Sequence, residues 1–172
     1  MVDDVRKQIT TPTSDTIMSK IIPQSDIYKY LYNNYVGVRG FTAVTEHVVK
    51  LSTLNDEFEG ARLDYHDTAF KVSNGIDGVS KYTGSPDRFY ATIEYQVGDP
   101  NKLSIPKWKP ESNNYPYTGR GFTGSRRIVL PEYYQQTREF SKGDLLRVID
   151  SQTGTPVINF KFSKTFGWIT KD

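Results

Sequence analysis

Cysteine is absent from all 172 residues, which excludes disulfides, thiolate metal sites and cysteine nucleophiles. Histidine is nearly as scarce. His47 and His66 are the only two, too few for a structural zinc site without thiolate ligands. No apolar run approaches the roughly 18–20 residues of a membrane-crossing helix, so no transmembrane helix is expected. The opening stretch, MVDDVRKQITTPTSD, has acids where a signal peptide carries its apolar region. Also missing are a P-loop, a G-x-G-x-x-G turn, an H-E-x-x-H pair and a G-x-S-x-G elbow. Those absences remove the commonest nucleotide-binding, zinc-peptidase and hydrolase mechanisms.

What the chain does have is aromatic side chains. Phe, Trp and Tyr make up 13% of it, with twelve Tyr and nine Phe, and so rich an aromatic content argues for a packed fold rather than disorder. Its length suits one domain with a real core. Net charge is only +2, too balanced to imply nucleic-acid binding by itself. The charges are unevenly distributed, however. Asp56, Glu57, Glu59, Asp64 and Asp67 gather in the first half, whereas Lys102, Lys107, Lys109, Arg120, Arg126 and Arg127 gather in the second. The basic half suits either a phosphate-bearing ligand or plain solvation, and the run at Asp56, Glu57 and Glu59 reads as a solvated helix end.

Along the chain, residues 1–24 are polar and broken by Pro12 and Pro23, and they read as a flexible lead-in to a single domain over 25–172. A short helix capped by Ser25 or Asp26 is expected next. YVGVR at 35–39 reads as a strand ending at Gly40, followed by a helix over 42–54 on the spacing of Val44, Val48 and Leu51. RFYATIEYQV at 88–97 is the clearest strand, alternating Phe89, Ala91, Ile93, Tyr95 and Val97 on one face. A long Pro- and Gly-rich loop over 106–124 precedes RRIVL, a buried-type strand closed by Pro131. Residues 145–150 and 156–162 form a hairpin around Ser-Gln-Thr-Gly-Thr, and 166–169 adds a last edge. The expected class is α+β: short N-terminal helices, then a mainly antiparallel, twisted β-sheet core.

Three short segments carry possible chemistry. Val36-Gly37-Val38-Arg39-Gly40-Phe41 offers a guanidinium able to grip a pyrophosphate beside a glycine that lets a ligand approach the backbone. Gly78–Gly84 with Asp87–Ala91 brings Tyr82, Thr83 and Tyr90 into the middle of the chain, and 124–131 carries Arg126 and Arg127 into an apolar strand. In this order the segments resemble the layout of ADP-ribosyltransferase-like bacterial toxin domains, over about residues 35–131. The resemblance implies NAD as substrate, without a metal, for ADP-ribosyl transfer or NAD glycohydrolysis. It also implies a secreted effector delivered into a target cell and held inactive by a cognate immunity protein. Arg39, with Gly40, would take the NAD phosphates. Tyr82, Thr83 and Tyr90 would line the nicotinamide pocket, and Arg126 and Arg127 would add positive charge. Where the family carries an acid before its last apolar run, this chain has Ser125, Arg126 and Arg127. Either the carboxylate then comes from Glu132 or Glu139, where it would stabilise the ribosyl oxocarbenium as nicotinamide leaves, or the chemistry is different.

Two other classes fit the residues. A metal-independent ribonuclease needs a base, an acid and a cation for the phosphorane. His66 beside Asp67 would serve it, with Trp108, Tyr115 and Tyr117 stacking bases. His47, between Val44 and Val48, reads instead as a half-buried helix residue. A non-enzymatic module would use the aromatic 106–124 loop to stack on carbohydrate or peptide.

Overall fold

The structure is a computed structural model that describes residues 2–32, 34–51, 54–61, 63, 72–73, 81–82, 88–107, 121–124 and 128–171. Helix α1 (Val2–Lys7) precedes strand β1 (Ile17–Pro23), helix α2 (Gln24–Leu31) and strand β2 (Gly37–Val44). Helices α3 (Thr45–Val48) and α4 (Leu54–Ala61) follow, then the short β3 (Val72–Ser73) and β4 (Lys81–Tyr82). The remainder is strand: β5 (Phe89–Gln96), β6 (Leu103–Ser104), β7 (Phe122–Gly124), β8 (Val129–Pro131), β9 (Tyr133–Glu139), β10 (Leu145–Asp150), β11 (Pro156–Ser163) and β12 (Gly167–Thr170).

One antiparallel sheet of eight strands, ordered β12-β11-β10-β5-β1-β2-β9-β6, dominates, and the class is α+β with a mostly antiparallel sheet. Among the described residues no helix is long and apolar enough to cross a membrane. The helices do not all precede the sheet. Strands β1 and β2 alternate with them, so the expected order of helices first and strands after is corrected.

The flexible lead-in over 1–24 is corrected as well, because β1 lies in the middle of the sheet and pairs along its whole length with β5, from Ile17↔Gln96 to Pro23↔Tyr90. The physical reason is alternation within IMSKIIP. Met18 and Ile22 turn to one face, where they are 0% and 1% exposed, and the β-branched isoleucines favour an extended backbone. Upstream residues are tied down too. Arg6 donates to the Ile105 and Pro106 carbonyls, and Tyr133 Oη donates to the Thr10 carbonyl at 2.8 Å.

The strand at 35–39 runs on through Gly40 to Val44, so the expected helix over 42–54 does not form as one element. Helical spacing at Val44 and Val48 yields a single turn, Thr45–Val48, and a separate helix begins at Leu54. Thr42, the first residue of that expected helix, sits in β2 and donates its hydroxyl to the Ser19 carbonyl at 2.8 Å. By contrast, β5 and the β10–β11 hairpin with its β12 edge match the sequence pattern closely.

The main core lies on the sheet face that carries Met18, Ile22, Ala91, Ile93, Tyr95, Leu146 and Val148, and α2 covers it with Tyr30, Ile27 and Leu31. On the opposite face Phe58 of α4 packs with Tyr90, Ile149 and Ile21, while Ala43, Val48 and Leu130 form a small third cluster.

Candidate functional site

Strands β1 and β2 pair only through Met18↔Val44 and Ser19↔Ala43, and beyond that point the ladder stops. Two side chains replace the missing rungs. Thr42 Oγ1 reaches the Ser19 carbonyl, and Lys20 Nζ donates to the Phe41 carbonyl at 3.2 Å. By strand alternation Lys20 shares the core face with Met18 and Ile22, and it sits opposite Ile93. Burial lowers its pKa to about 8, with Asp26 of α2 pulling the other way. Gly40 faces this amine with φ +98°, and a Cβ there would stand 3.3 Å from Lys20 Nζ.

Behind the parting lies a polar cluster. Tyr95 Oη is 3.2 Å from Thr42 Oγ1 and 3.3 Å from Gln135 Oε1, so one hydroxyl hydrogen serves two acceptors. Gln135, fully buried, spends its amide on the Lys102 and Gln136 carbonyls. Arg138 lies over the Tyr95 ring and pairs with buried Asp144, whose carboxylate also accepts from Ser141 N–H at 2.8 Å. Burial raises the Asp144 pKa more than Arg138 and Ser141 lower it. These groups are saturated by one another and read as scaffold.

The outer surface of β2 and β9 is different. The register shifts between Val38↔Arg138 and Gly40↔Gln135, so Gln136 and Thr137 together oppose Arg39. Arg39, Gln136 and Thr137 are all exposed there. Phe41, 39% exposed, meets Tyr134 edge to face with ring centroids 5.4 Å apart. Glu139, also exposed, pairs with Gly37, two residues along from Arg39. One stretch of two strands therefore presents a cation, a carboxylate and an aromatic pair. That set can grip an anion and stack on a planar ring.

The other sequence candidates fall elsewhere. Glu132 is only 5% exposed, and its N–H donates to the Gly121 carbonyl. It precedes β9, beyond the last ladder pair Thr42↔Tyr133, and so lies several residues from Arg39. Tyr90 is buried with Phe58 and Ile149, and its hydroxyl donates to Glu57 Oε2 at 3.0 Å. Burial pushes the Glu57 carboxyl above its usual range, while that hydrogen bond opposes the shift. Glu57, expected in a solvated acidic run, is therefore part of the packing between α4 and the sheet. Tyr82 belongs to β4, which runs beside α4. Thr83, His66, Arg126 and Arg127 lie outside the described residues, as does most of the 106–124 loop with Trp108, Tyr115 and Tyr117. His47 Nδ1 is buried with no hydrogen-bond partner among the described residues. Among those residues no group of three or more His, Asp or Glu is arranged to hold a metal ion.

Sequence reading missed Lys20 and Tyr134. A lysine at an inward position of IMSKIIP was the available signal for the first. For the second it was the β-prone YYQQT that continues past Pro131. No family model matches the chain, and no curated protein or solved structure shows significant similarity to it.

Proposed function

We propose that this domain consumes NAD, as an effector-type ADP-ribosyltransferase or NAD glycohydrolase, and that it binds the dinucleotide on the outer surface of β2 and β9. The observation that carries this reading is Arg39. Its guanidinium is exposed beside a glycine with φ +98°, opposite a two-residue bulge and next to the pair of exposed Phe41 and half-buried Tyr134. In this reading the guanidinium takes the pyrophosphate bidentately, and Gly40 lets the phosphate come close to the backbone. Phe41 and Tyr134 offer an aromatic surface to a ring of the ligand. Of the two carboxylates the sequence offers, Glu139 is exposed and near Arg39, whereas Glu132 is buried and lies beyond the end of the ladder. Glu139 is therefore assigned to stabilise the cationic ribose as nicotinamide departs. A cognate protein that silences the domain belongs to the same reading.

The test is nicotinamide release from NAD by the purified domain and by Arg39→Ala. The side chain is exposed, so the substitution leaves the melting temperature unchanged. Loss of a charge-assisted phosphate contact lowers kcat/KM by about 100-fold or more. Full turnover by a folded Arg39→Ala protein would remove the reading. No release at all, with total RNA cut in a parallel tube, would transfer the assignment to the ribonuclease class and to His66.

A further inference from the structure

Lys20 stands where the sheet parts, and nothing in the NAD reading uses it. Its position combines three features that seldom meet. First, it is a half-buried lysine on the core face of β1, between Met18 and Ile22 and opposite Ile93 of β5, so apolar residues flank its stem. Second, among the described residues its ammonium meets one hydrogen-bond acceptor, the Phe41 carbonyl at 3.2 Å, and no carboxylate. The acid that acts on it, Asp26 of α2, is already engaged by Lys29 at 2.8 Å. The other titratable group of α2 on this side is Tyr30, whose hydroxyl is held neutral by burial. β5 contributes only Tyr95, likewise held neutral by burial, and β2 contributes Arg39, exposed on its outer side. Third, Gly40 leaves open the space in front of Nζ, since any Cβ there would crowd the nitrogen at 3.3 Å.

We propose that Lys20 is a nucleophilic amine site that condenses with a small aldehyde entering the parting between β1 and β2. The neutral amine adds to the carbonyl carbon to give a carbinolamine. That intermediate then loses its hydroxyl with a proton as water, leaving an imine between Nζ and the former carbonyl carbon. No oxidant or reductant is consumed. The step needs an unprotonated nitrogen and room for the carbon to approach, and Gly40 supplies the second. For the first, a lysine of pKa about 8 is roughly one-fifth neutral at pH 7.4, against about one-thousandth for an ordinary lysine.

The experiment uses the full chain with limiting glyoxylate as the probe and cyanoborohydride to reduce any imine to a stable secondary amine. Sites are read by peptide mass spectrometry between pH 6.5 and 9.5. Lys20 is expected to carry most of the label at neutral pH, well ahead of the exposed Lys50, Lys142 and Lys164, with its labelling rising through about pH 8. Lys20→Arg keeps a cation for the Phe41 carbonyl but cannot form the adduct, so the dominant labelled peptide is lost while the melting temperature holds. Labelling spread over the surface lysines, with Lys20 no faster than they are, overturns the proposal. So does Lys20 labelling with the pH dependence of an ordinary lysine. Neither result bears on nicotinamide release, so the two assignments stand or fall separately.

Discussion

Glu57 illustrates how a single side chain changes meaning once it is folded. In the sequence it sits in a run of acids and looks solvated. In the structure it lies against Phe58 and accepts a hydrogen bond from Tyr90, with its pKa raised chiefly by burial. A carboxyl whose folded pKa exceeds its unfolded value binds more protons when folded. Its contribution therefore favours folding at low pH and is lost as pH rises through the folded pKa. Glu57→Gln keeps an acceptor for Tyr90 and removes the buried charge. The variant is expected to melt at least as high as the wild type at pH 7, with the difference shrinking toward pH 4.5, the ordinary glutamate value. A drop in melting temperature at pH 7 would mean that the charge itself is needed. The acidic run concealed this because which acid turns inward depends on where the helix starts. The helix α4 starts at Leu54, two residues before Asp56. The exposure of Arg39, by contrast, was legible, because a charged side chain beside a glycine in a short β-prone run has few ways to be buried.

At the level of elements, the strands with clean alternation and strong turn residues were readable: β5, and the β10–β11 hairpin. In that hairpin Asp150 accepts from Gln152 and Thr153 N–H, and Gly154 supplies a φ of +70°. What failed were strands carrying polar residues inward. Lys20 interrupts the pattern of β1, and Gln135 with Arg138 interrupts that of β9, because both strands border the parting and the buried polar cluster. Non-local hydrogen bonds satisfy those groups, and local sequence does not encode such partners. The β2–β9 ladder also depends on one missing side chain. A Cβ on Gly37 would meet the Arg138 carbonyl closer than any real Cβ contact, and that obstacle is backbone, which cannot swing aside. Gly37→Ala is expected to push the two strands apart and cost about 1–3 kcal/mol, read from the urea midpoint. It should also weaken any ligand held by Arg39, since the bulge lies on the same ladder.

For the whole molecule, sequence correctly gave the class, a mostly antiparallel α+β fold, but misplaced its centre. Local pattern cannot reveal that the first strand is laid between the second and the fifth. Removing residues 1–24 deletes β1 and, with it, the partner that β5 uses from Tyr90 to Gln96. Such a protein is expected to show no cooperative thermal transition, whereas a true lead-in could be cut away without loss; circular dichroism melts decide between these outcomes. This arrangement also governs the order of assembly. A ribosome must deliver residue 96 before β1 has its long neighbour, and residue 139 before β2 is paired along its length. Until residue 96 has been delivered, then, the apolar IMSKIIP segment waits without its long neighbour and is open to pairing with a stranger.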